Sequence, residues 1–270
     1  MRCHTSCRGV GLVAWTLSLA VLFSAAGCGG SMGSGAVPAD AAPVPGRAVA
    51  GVDGLAVVAG SADGDSPAPE PELTAAEILA LAEAKCDAID DYHCVSKVFT
   101  RAGEETENKV LNVSFKRPGM FRNEVIEGDN EGGCVTRNAE GVIHGRHGGV
   151  LSIIVLTLKE DDERIRSLRG RRFFEASWAD EVGDLRRAID EGYQPRRLEN
   201  QTFDGVDCYV IAAVGSSTKT AVTSYEMWIE KESHLLRRRR DFEGQTLAKD
   251  TRFMNPEINL GTPDEHFTLK

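Results

Sequence analysis

Residues 222–253, VTSYEMWIEKESHLLRRRRDFEGQTLAKDTRF, decide the fold class. Three stretches that alternate apolar and polar residues, Val222 to Glu230, His234 to Phe242 and Thr246 to Phe253, are separated by short polar turns. The last turn, Glu243-Gly244, supplies the glycine that a tight hairpin favours. This segment therefore predicts consecutive antiparallel strands.

The same alternation continues outward from this segment. It predicts further strands at Tyr92 to Arg101, Val110 to Lys116, Phe121 to Ile126, Cys134 to Arg137, Arg197 to Phe203 and Cys208 to Val214. Val150 to Leu158 is a continuous apolar run, which predicts a buried segment. The fold class predicted from these strands is α+β, with one antiparallel sheet and a few helices.

Two helices stand out by their spacing. Thr74 and Glu77 form a capping-box pair ahead of an apolar face, which predicts a helix from about Ala75 to Ile89. Behind Ser177, a possible N-cap, apolar residues recur at helical intervals and predict a second amphipathic helix: Trp178, Val182, Leu185 and Ile189.

The N-terminus has the three parts of a secretory signal. Arg2 and Arg8 precede an apolar run from Val10 to Phe23, and Ser24-Ala-Ala-Gly-Cys28 follows. The last four residues resemble a bacterial lipobox, so Cys28 is the predicted lipidation site. The departure is Ala25, where such motifs more often have leucine; cleavage by an ordinary signal peptidase and retention as a membrane span stay as alternatives. We expect a signal peptide over residues 1–27.

A tether follows the signal. From Gly29 to Glu72 there is no aromatic residue and six of the ten prolines occur, so this stretch cannot bury enough surface to fold. We expect the lipidated cysteine and tether over residues 28–72, and one folded domain over residues 73–270. The location implied is the cell envelope, with the chain lipid-anchored to a bacterial membrane and facing the periplasm or the exterior.

The charge excludes one class of partner. The chain has 31 Lys and Arg against 41 Asp and Glu, a net charge of -10. Proteins that coat nucleic acid need a surplus of basic residues to neutralise phosphate. Nucleic acid is therefore not an expected partner.

Several strings in order resemble one known group. These are Lys116-Arg-Pro-Gly-Met-Phe-Arg122, then Tyr225-Glu-Met-Trp-Ile-Glu230, Thr251-Arg-Phe253 and Pro263-Asp-Glu-His-Phe267. Together they look like the LolA/LolB superfamily of outer-membrane lipoprotein carriers. The middle of the chain is closer to a lipoprotein-sorting-like family of planctomycete-type bacteria whose function is unknown.

The resemblance implies a strongly curved antiparallel sheet, an incomplete β-barrel, with helices plugging the concave face around an apolar cavity. In the carriers, that cavity holds acyl chains of lipoproteins. The residues expected to line it here are Leu111, Val113, Phe115, Phe121, Val210, Met227, Ile229 and Phe253. A closed core made of the same residues is the alternative, because alternation predicts inward apolar side chains in both cases.

Four cysteines fall in the predicted domain: Cys86, Cys94, Cys134 and Cys208. In an oxidising compartment they offer up to two disulfides, of which Cys86–Cys94 is locally reasonable. Free buried thiols are the alternative. His144 and His147 lack a nearby acid or cysteine cluster, so no metal is expected, and no cofactor either.

The run Arg237 to Arg240 must place guanidinium groups on both faces of a strand. Pairing with acids on neighbouring strands is the preferred interpretation, and contact with phosphate head groups is the other.

Three functional hypotheses follow. The first is a membrane-anchored module that binds a lipid or a lipoprotein acyl chain. The second is an envelope scaffold or stress-sensing protein with a filled core, which binds a protein partner. The third, a hydrolase, needs clustered acids with a perturbed pKa in a cleft; because the sequence has none of the common catalytic motifs, no catalytic residue and no enzyme activity are expected.

Overall fold

The structure is a computed structural model and describes residues 72–269, apart from the side chain of Leu151. The predicted leader, Cys28 and all of the tether except Glu72 lie outside the described residues. The helices are α1 (Ala75–Asp87) and α2 (Trp178–Asp190). The strands are β1 (Asp91–Ala102), β2 (Glu105–Lys116), β3 (Met120–Gly128), β4 (Cys134–Arg137), β5 (Ile143–Arg146), β6 (Val155–Leu158), β7 (Gln194–Phe203), β8 (Val206–Val214), β9 (Ser224–Glu230), β10 (Leu236–Glu243) and β11 (Thr246–Ile258).

All eleven strands form one antiparallel sheet in the order β6-β5-β4-β3-β2-β1-β11-β10-β9-β8-β7. Each strand pairs with its neighbour in sequence, except that β1 pairs with β11 and so joins two meanders. In the described residues, the edge strands β6 and β7 do not pair with each other, so the curved sheet stays open. The predicted fold class, an incomplete barrel with helices on its concave face, is confirmed.

Both predicted helices are present and begin where the caps place them. The Thr74 hydroxyl accepts from the backbone N–H of Glu77, and the Ser177 hydroxyl accepts from that of Asp180; each acid reaches back to its cap, completing a capping box. Such caps satisfy backbone N–H groups that the first helical turn leaves free. Helix α1 ends at Asp87, two residues before the predicted end.

An aromatic chain joins helix α2 to the sheet. The ring of Trp178 stacks on that of Tyr92 with centroids 3.9 Å apart and meets Phe253 edge-on at 6.0 Å. Phe115 lies 5.2 Å from Tyr92, and Phe121 continues the chain on β3. Because Trp178 is 1% exposed, its position fixes the N-terminal end of α2 against the sheet.

The apolar run Val150 to Leu158 is not buried as predicted. Val150 is 94% exposed and Ile153 88% exposed, and the run ends in the short edge strand β6. Among the described side chains of the run, Leu158, at the far end of β6, is the one that lies in the core. The reason is position: the run lies at the margin of the sheet, where one sheet edge has no neighbouring strand among the described residues. Among residues 72–269, no helix has both the length and the apolar content needed to cross a bilayer.

We expect Trp178→Ala to lower the free energy of unfolding by about 3–5 kcal/mol, because it empties the volume between α2 and strands β1 and β11. Urea denaturation followed by circular dichroism measures this. Val150→Ala is the control and should change the value by less than about 0.5 kcal/mol, because its side chain is exposed. Equal effects of the two substitutions would contradict this packing.

Candidate functional site

A cavity of about 530 Å³ lies between the concave face of the sheet, helix α2 and the loop that precedes it. Its floor is built from strands β1, β2, β3, β10 and β11. Ile165, Phe173 and Ala176 of the preceding loop and Ala188 of α2 lie opposite the floor. A cavity is therefore present beside a packed core, so that each of the two predicted alternatives describes part of the concave face.

The floor changes from apolar to charged along the strands. We call a row of residues that are paired side by side across the strands a level. The first level, across β3, β2, β1 and β11, contains Val125, Leu111, Ser96 and Phe253. The next level contains Lys109, Val98, Thr251 and Arg239, and the third contains Glu107, Thr100, Lys249 and Asp241. Since side chains on one face recur every second residue, this order follows directly from the sequences of the five strands.

The predicted cavity residues divide into three groups: those that line the cavity, those in or against the closed core beside it, and one residue on the other face of the sheet. Leu111, Val113 and Phe253 line the cavity. Phe115, Phe121, Met227 and Ile229 lie in or against the closed core next to it.

Val210 lies on the other face of the sheet, where it packs with Cys208 and Trp228. Its neighbours Ile211 and Ala213 face the main core instead. Strand β8 is apolar on both faces, and so alternation could not assign Val210 to one of them.

Charged residues that the sequence prediction missed make up much of the lining. Ten basic side chains line the cavity. Five come from the loop before α2: Arg164, Arg166, Arg169, Arg171 and Arg172. The other five come from α2, the sheet and one further loop: Arg187, Lys109, Arg239, Lys249 and Lys219. Against these, five acids line the cavity: Glu107, Glu181, Asp184, Glu191 and Asp241.

A buried ionic cluster joins α2 to the sheet at the charged end. Arg239 on β10 donates to Glu181 at 2.8 Å, to Asp184 at 2.6 Å and to Asp241 at 2.7 Å. The Lys249 ammonium donates to both Glu181 carboxylate oxygens at 2.7 Å. These charges are paired on every side, which is the condition under which buried ions are tolerated. Arg171 adds a bond of 2.5 Å to Asp184 from the loop.

The pKa values in this cluster are shifted by two opposing causes. Burial raises the pKa of Glu181, but the charges of Lys249, Arg171 and Arg239 outweigh it and hold that pKa below its ordinary value. Burial likewise opposes ionisation of Asp184, and Arg239 and Arg171 lower its pKa on balance. The pKa of Lys249 is lowered because burial exceeds the attraction of Glu181. The acids are thus held ionised, the opposite of what a general acid requires.

The run Arg237 to Arg240 is paired with acids, as the preferred interpretation predicted. Arg238 makes a two-point bond to Asp250 at 2.8 and 2.6 Å. Arg240 lies 3.8 Å from Glu226, and both guanidinium groups stack over Trp228. Of the four arginines in the run, Arg239 is the one that lines the cavity.

A second polar network lies at the C-terminal segment. The Ser114 hydroxyl contacts His93 Nδ1 at 2.8 Å and His266 Nε2 at 2.9 Å. His93 Nε2 contacts the Thr262 hydroxyl at 2.9 Å, and that hydroxyl donates to Asp91 at 3.0 Å. Ser114 is only 4% exposed, and both imidazoles already occupy its hydroxyl. The network therefore fastens the C-terminal segment to β1 and β2 and favours a structural role over a nucleophile.

All four cysteines of the described residues are free and buried, so the disulfide alternative is not met in this structure. Six strands separate Cys134 on β4 from Cys208 on β8, too far for a bond that needs Cα atoms within about 7 Å. Burial raises the pKa of Cys86 and Cys94 to about 12 and that of Cys134 and Cys208 to about 11.

Within residues 72–269, no group of three or more His, Cys, Asp or Glu side chains is placed to hold a metal ion. His144 on β5 and His147 just after it belong to no such group.

Comparison with known proteins gives matches among solved structures only. No family model matches the chain, and neither does any curated protein. A LolA superfamily protein from Nitrosomonas europaea is 14% identical over 73% of this chain and 99% of its own, with a TM-score of 0.34. The lipoprotein LppX from Mycobacterium tuberculosis is 12% identical over 69% and 97%, with a TM-score of 0.44.

MucB in its complex with MucA from Pseudomonas aeruginosa is 10% identical over 73% of this chain and 61% of its own, with a TM-score of 0.39. The superfamily predicted from the sequence is among these matches. Identities of 10–14% with TM-scores below 0.5 transfer no ligand, partner or activity to this chain.

We expect Glu181→Gln to lower the free energy of unfolding by about 3–5 kcal/mol at neutral pH, because Lys249 and Arg239 stay buried without their shared acid. The difference from wild type should shrink as pH falls below about 4.3, the unfolded pKa of glutamate. The sign follows from linkage: a carboxyl with a lowered folded pKa binds more protons when unfolded, so acid removes its contribution.

Urea denaturation over this pH range measures the difference. Glu199→Gln on β7 is the matched control, since Glu199 is exposed, and should behave as wild type throughout. A difference between Glu181→Gln and wild type that stays constant down to pH ~2.5 would contradict an ionised Glu181.

For the cysteines, we expect no alkylation of the native protein by iodoacetamide and full alkylation of all four after unfolding without reductant. Thiols with raised pKa and no exposure are unreactive. Peptide mapping by mass spectrometry checks each site. A peptide that is alkylated only after reduction reveals a disulfide and contradicts the structure.

Proposed function

We propose that this chain is an envelope lipoprotein, anchored through Cys28, whose folded domain binds an acyl chain of a lipid or lipoprotein in the cavity. The observation that carries the proposal is the cavity of about 530 Å³, because Val125, Leu111 and Phe253, interrupted only by Ser96, give it a mainly apolar level between the sheet and the loop before α2. Ligand pockets span about 300–1,000 Å³, and this cavity lies within that range.

The apolar part of the cavity suits an alkyl chain. Leu111, Val113 and Val125 form its floor, and Ile165 and Phe173 contribute to its other walls. Each methylene moved from water into such a site contributes about 0.8 kcal/mol. Binding is therefore expected to depend on chain length until the apolar part is full.

The N-terminal sequence supports an anchored role. A lipidated Cys28 with more than one acyl chain would hold the protein stably on a membrane, and the stretch up to residue 72 would serve as a tether. A carrier must leave the membrane, whereas an anchored module receives or presents its ligand in place. We therefore favour lipid handling or lipoprotein sorting at one membrane over shuttling between two.

A second candidate function, an envelope protein that binds a protein partner, draws support from the exposed apolar segment ahead of β6. Val150, Ile153, Ile154 and Leu156 are between 44% and 94% exposed. An exposed strand edge with apolar residues is a surface on which another chain can add a strand. Absence of lipid from the native protein would favour this candidate.

The test uses native mass spectrometry of protein extracted without detergent, followed by titration with octanoate, laurate and palmitate. We expect bound lipid, and affinity that rises about 100-fold from octanoate to laurate, since four methylenes contribute about 3 kcal/mol. Leu111→Trp fills the apolar level and should abolish binding. Leu260→Trp, at a residue 55% exposed outside the cavity, is the control and should bind as wild type.

Two outcomes would contradict the proposal: a native protein that never carries lipid and binds none of the three acids, or equal binding by the two tryptophan variants. Circular dichroism of both variants shows whether each is folded.

A further inference from the structure

The cavity has a charge opposite to that of the domain around it. Residues 73–270 hold 28 basic and 35 acidic side chains, an excess of seven negative charges. The ten basic and five acidic side chains that line the cavity give it an excess of five positive charges. Basic groups thus outnumber acids two to one among the charged side chains of the lining, although each basic group is ion-paired, so the lining favours an anion over a cation.

The source of this excess is the loop before α2. Arg171 pairs with Glu181 and Asp184, which line the cavity. The other four arginines pair with acids that do not line it, among them Arg169 with Glu243 and Arg172 with Glu175 and Glu160. A guanidinium has five N–H donors, so pairing on one side leaves donors for a second anion on the other.

Arg166 is the least neutralised of these arginines. One of its terminal nitrogens donates to the Gly170 carbonyl at 2.9 Å. Its Nε atom is buried and lies 3.7 Å from the carboxylate of Glu163, whose side chain is 89% exposed, and it makes no hydrogen bond among the described residues. A buried, unpaired donor on a cationic group is costly unless a ligand or water accepts from it.

The floor supplies matching polar groups next to its apolar level. Thr251 is 4% exposed, lines the cavity, and its hydroxyl has no hydrogen-bond partner within the part of the chain that the structure describes. Lys109 lies one level beyond Leu111 on the same face of β2, where its ammonium is paired with Glu107 and keeps further N–H donors. Val98, between Lys109 and Thr251, keeps the two polar groups apart. On this face of the sheet, the polar and apolar side chains are thus only two residues apart along the strand.

We propose that the cavity selects an amphiphile with an anionic head group, a carboxylate or a phosphate, whose head is bound by Arg166 and the level of Lys109 while its chain lies along Leu111 and Phe253. This rests on the proposed function and adds the ligand's chemical class and its orientation. A neutral head group can accept from the Arg166 donor but leaves the positive excess without a counter-charge, and a cationic head group is repelled by that excess. An anion satisfies both the charge and the donors.

The experiment compares ligands of the same chain with different heads: laurate, dodecyl phosphate and dodecanol. Each is titrated calorimetrically into the purified full chain after bound lipid is removed on a hydrophobic resin. We expect the laurate or the phosphate, or both, to bind at least about tenfold more tightly than dodecanol, the gain of a charged hydrogen bond. The difference should fall as salt is raised. The comparison of laurate with dodecyl phosphate distinguishes a fatty acid from a phosphorylated lipid.

Arg166→Gln and Lys109→Gln test the positions separately. Each should weaken binding of the anions about tenfold and leave dodecanol unchanged, which also shows that the cavity is intact. Arg196→Gln is the matched control, because Arg196 is exposed on β7 and does not line the cavity. If one variant does not fold, the other variant and the head-group comparison on the wild type still test the proposal.

The outcomes separate the two proposals. Equal binding of all three ligands, with Arg166→Gln and Lys109→Gln behaving as Arg196→Gln does, overturns the head-group inference and leaves acyl binding in place. No binding of any ligand overturns the proposed function itself.

Discussion

The placement of Arg239 between helix α2 and strand β10 is the constraint on which the cavity depends. At its N-terminal end, α2 packs directly on the sheet through Trp178, which stacks on Tyr92. Toward its middle, the contact is ionic: Arg239 and Lys249 reach up from the sheet to Glu181. A long basic side chain bonded end to end with an acid separates two backbones further than interlocking apolar side chains do. The same helix therefore closes the core at one end and leaves space at the other.

Much of the fold could be predicted from the sequence, because alternation and caps report local geometry. The capping boxes at Thr74 and Ser177 set the helix starts, and the hairpin at Glu243-Gly244 set the pairing of β10 with β11. The predictions that were wrong concern residues whose burial depends on elements distant in the sequence. The run from Val150 was read as buried from its composition, but exposure depends on whether another element covers the sheet margin, which no local pattern encodes.

The candidate site was predictable only in part for a related reason. Alternation assigns a residue to a face, but not to a level along the strand; Leu111 and Phe115 point the same way, yet the first lines the cavity and the second packs against the core. Strand β8 has apolar residues on both faces, so alternation could not assign its residues to either face. One signal for the ionic cluster was available, since Glu181 lies three residues after Trp178 and so on the same face of the helix. Acids on an otherwise apolar face indicate buried partners.

The arginines of the loop before α2 carry no periodic signal, and their contribution becomes visible only when charge is counted by location. In a sequence with a net charge of -10, clustered arginines read as a solvated surface. In the structure they surround a space, and the acids that pair with four of the five lie outside it, whereas Arg171 pairs with Glu181 and Asp184 of the lining. Basic groups therefore outnumber acids on the cavity wall, and the potential of that excess acts more strongly on a ligand as water is excluded. The order of charged and apolar residues along the strands then orients a ligand. The level of Lys109 is charged and that of Leu111 is apolar, so an amphiphile fits across the two levels in one orientation.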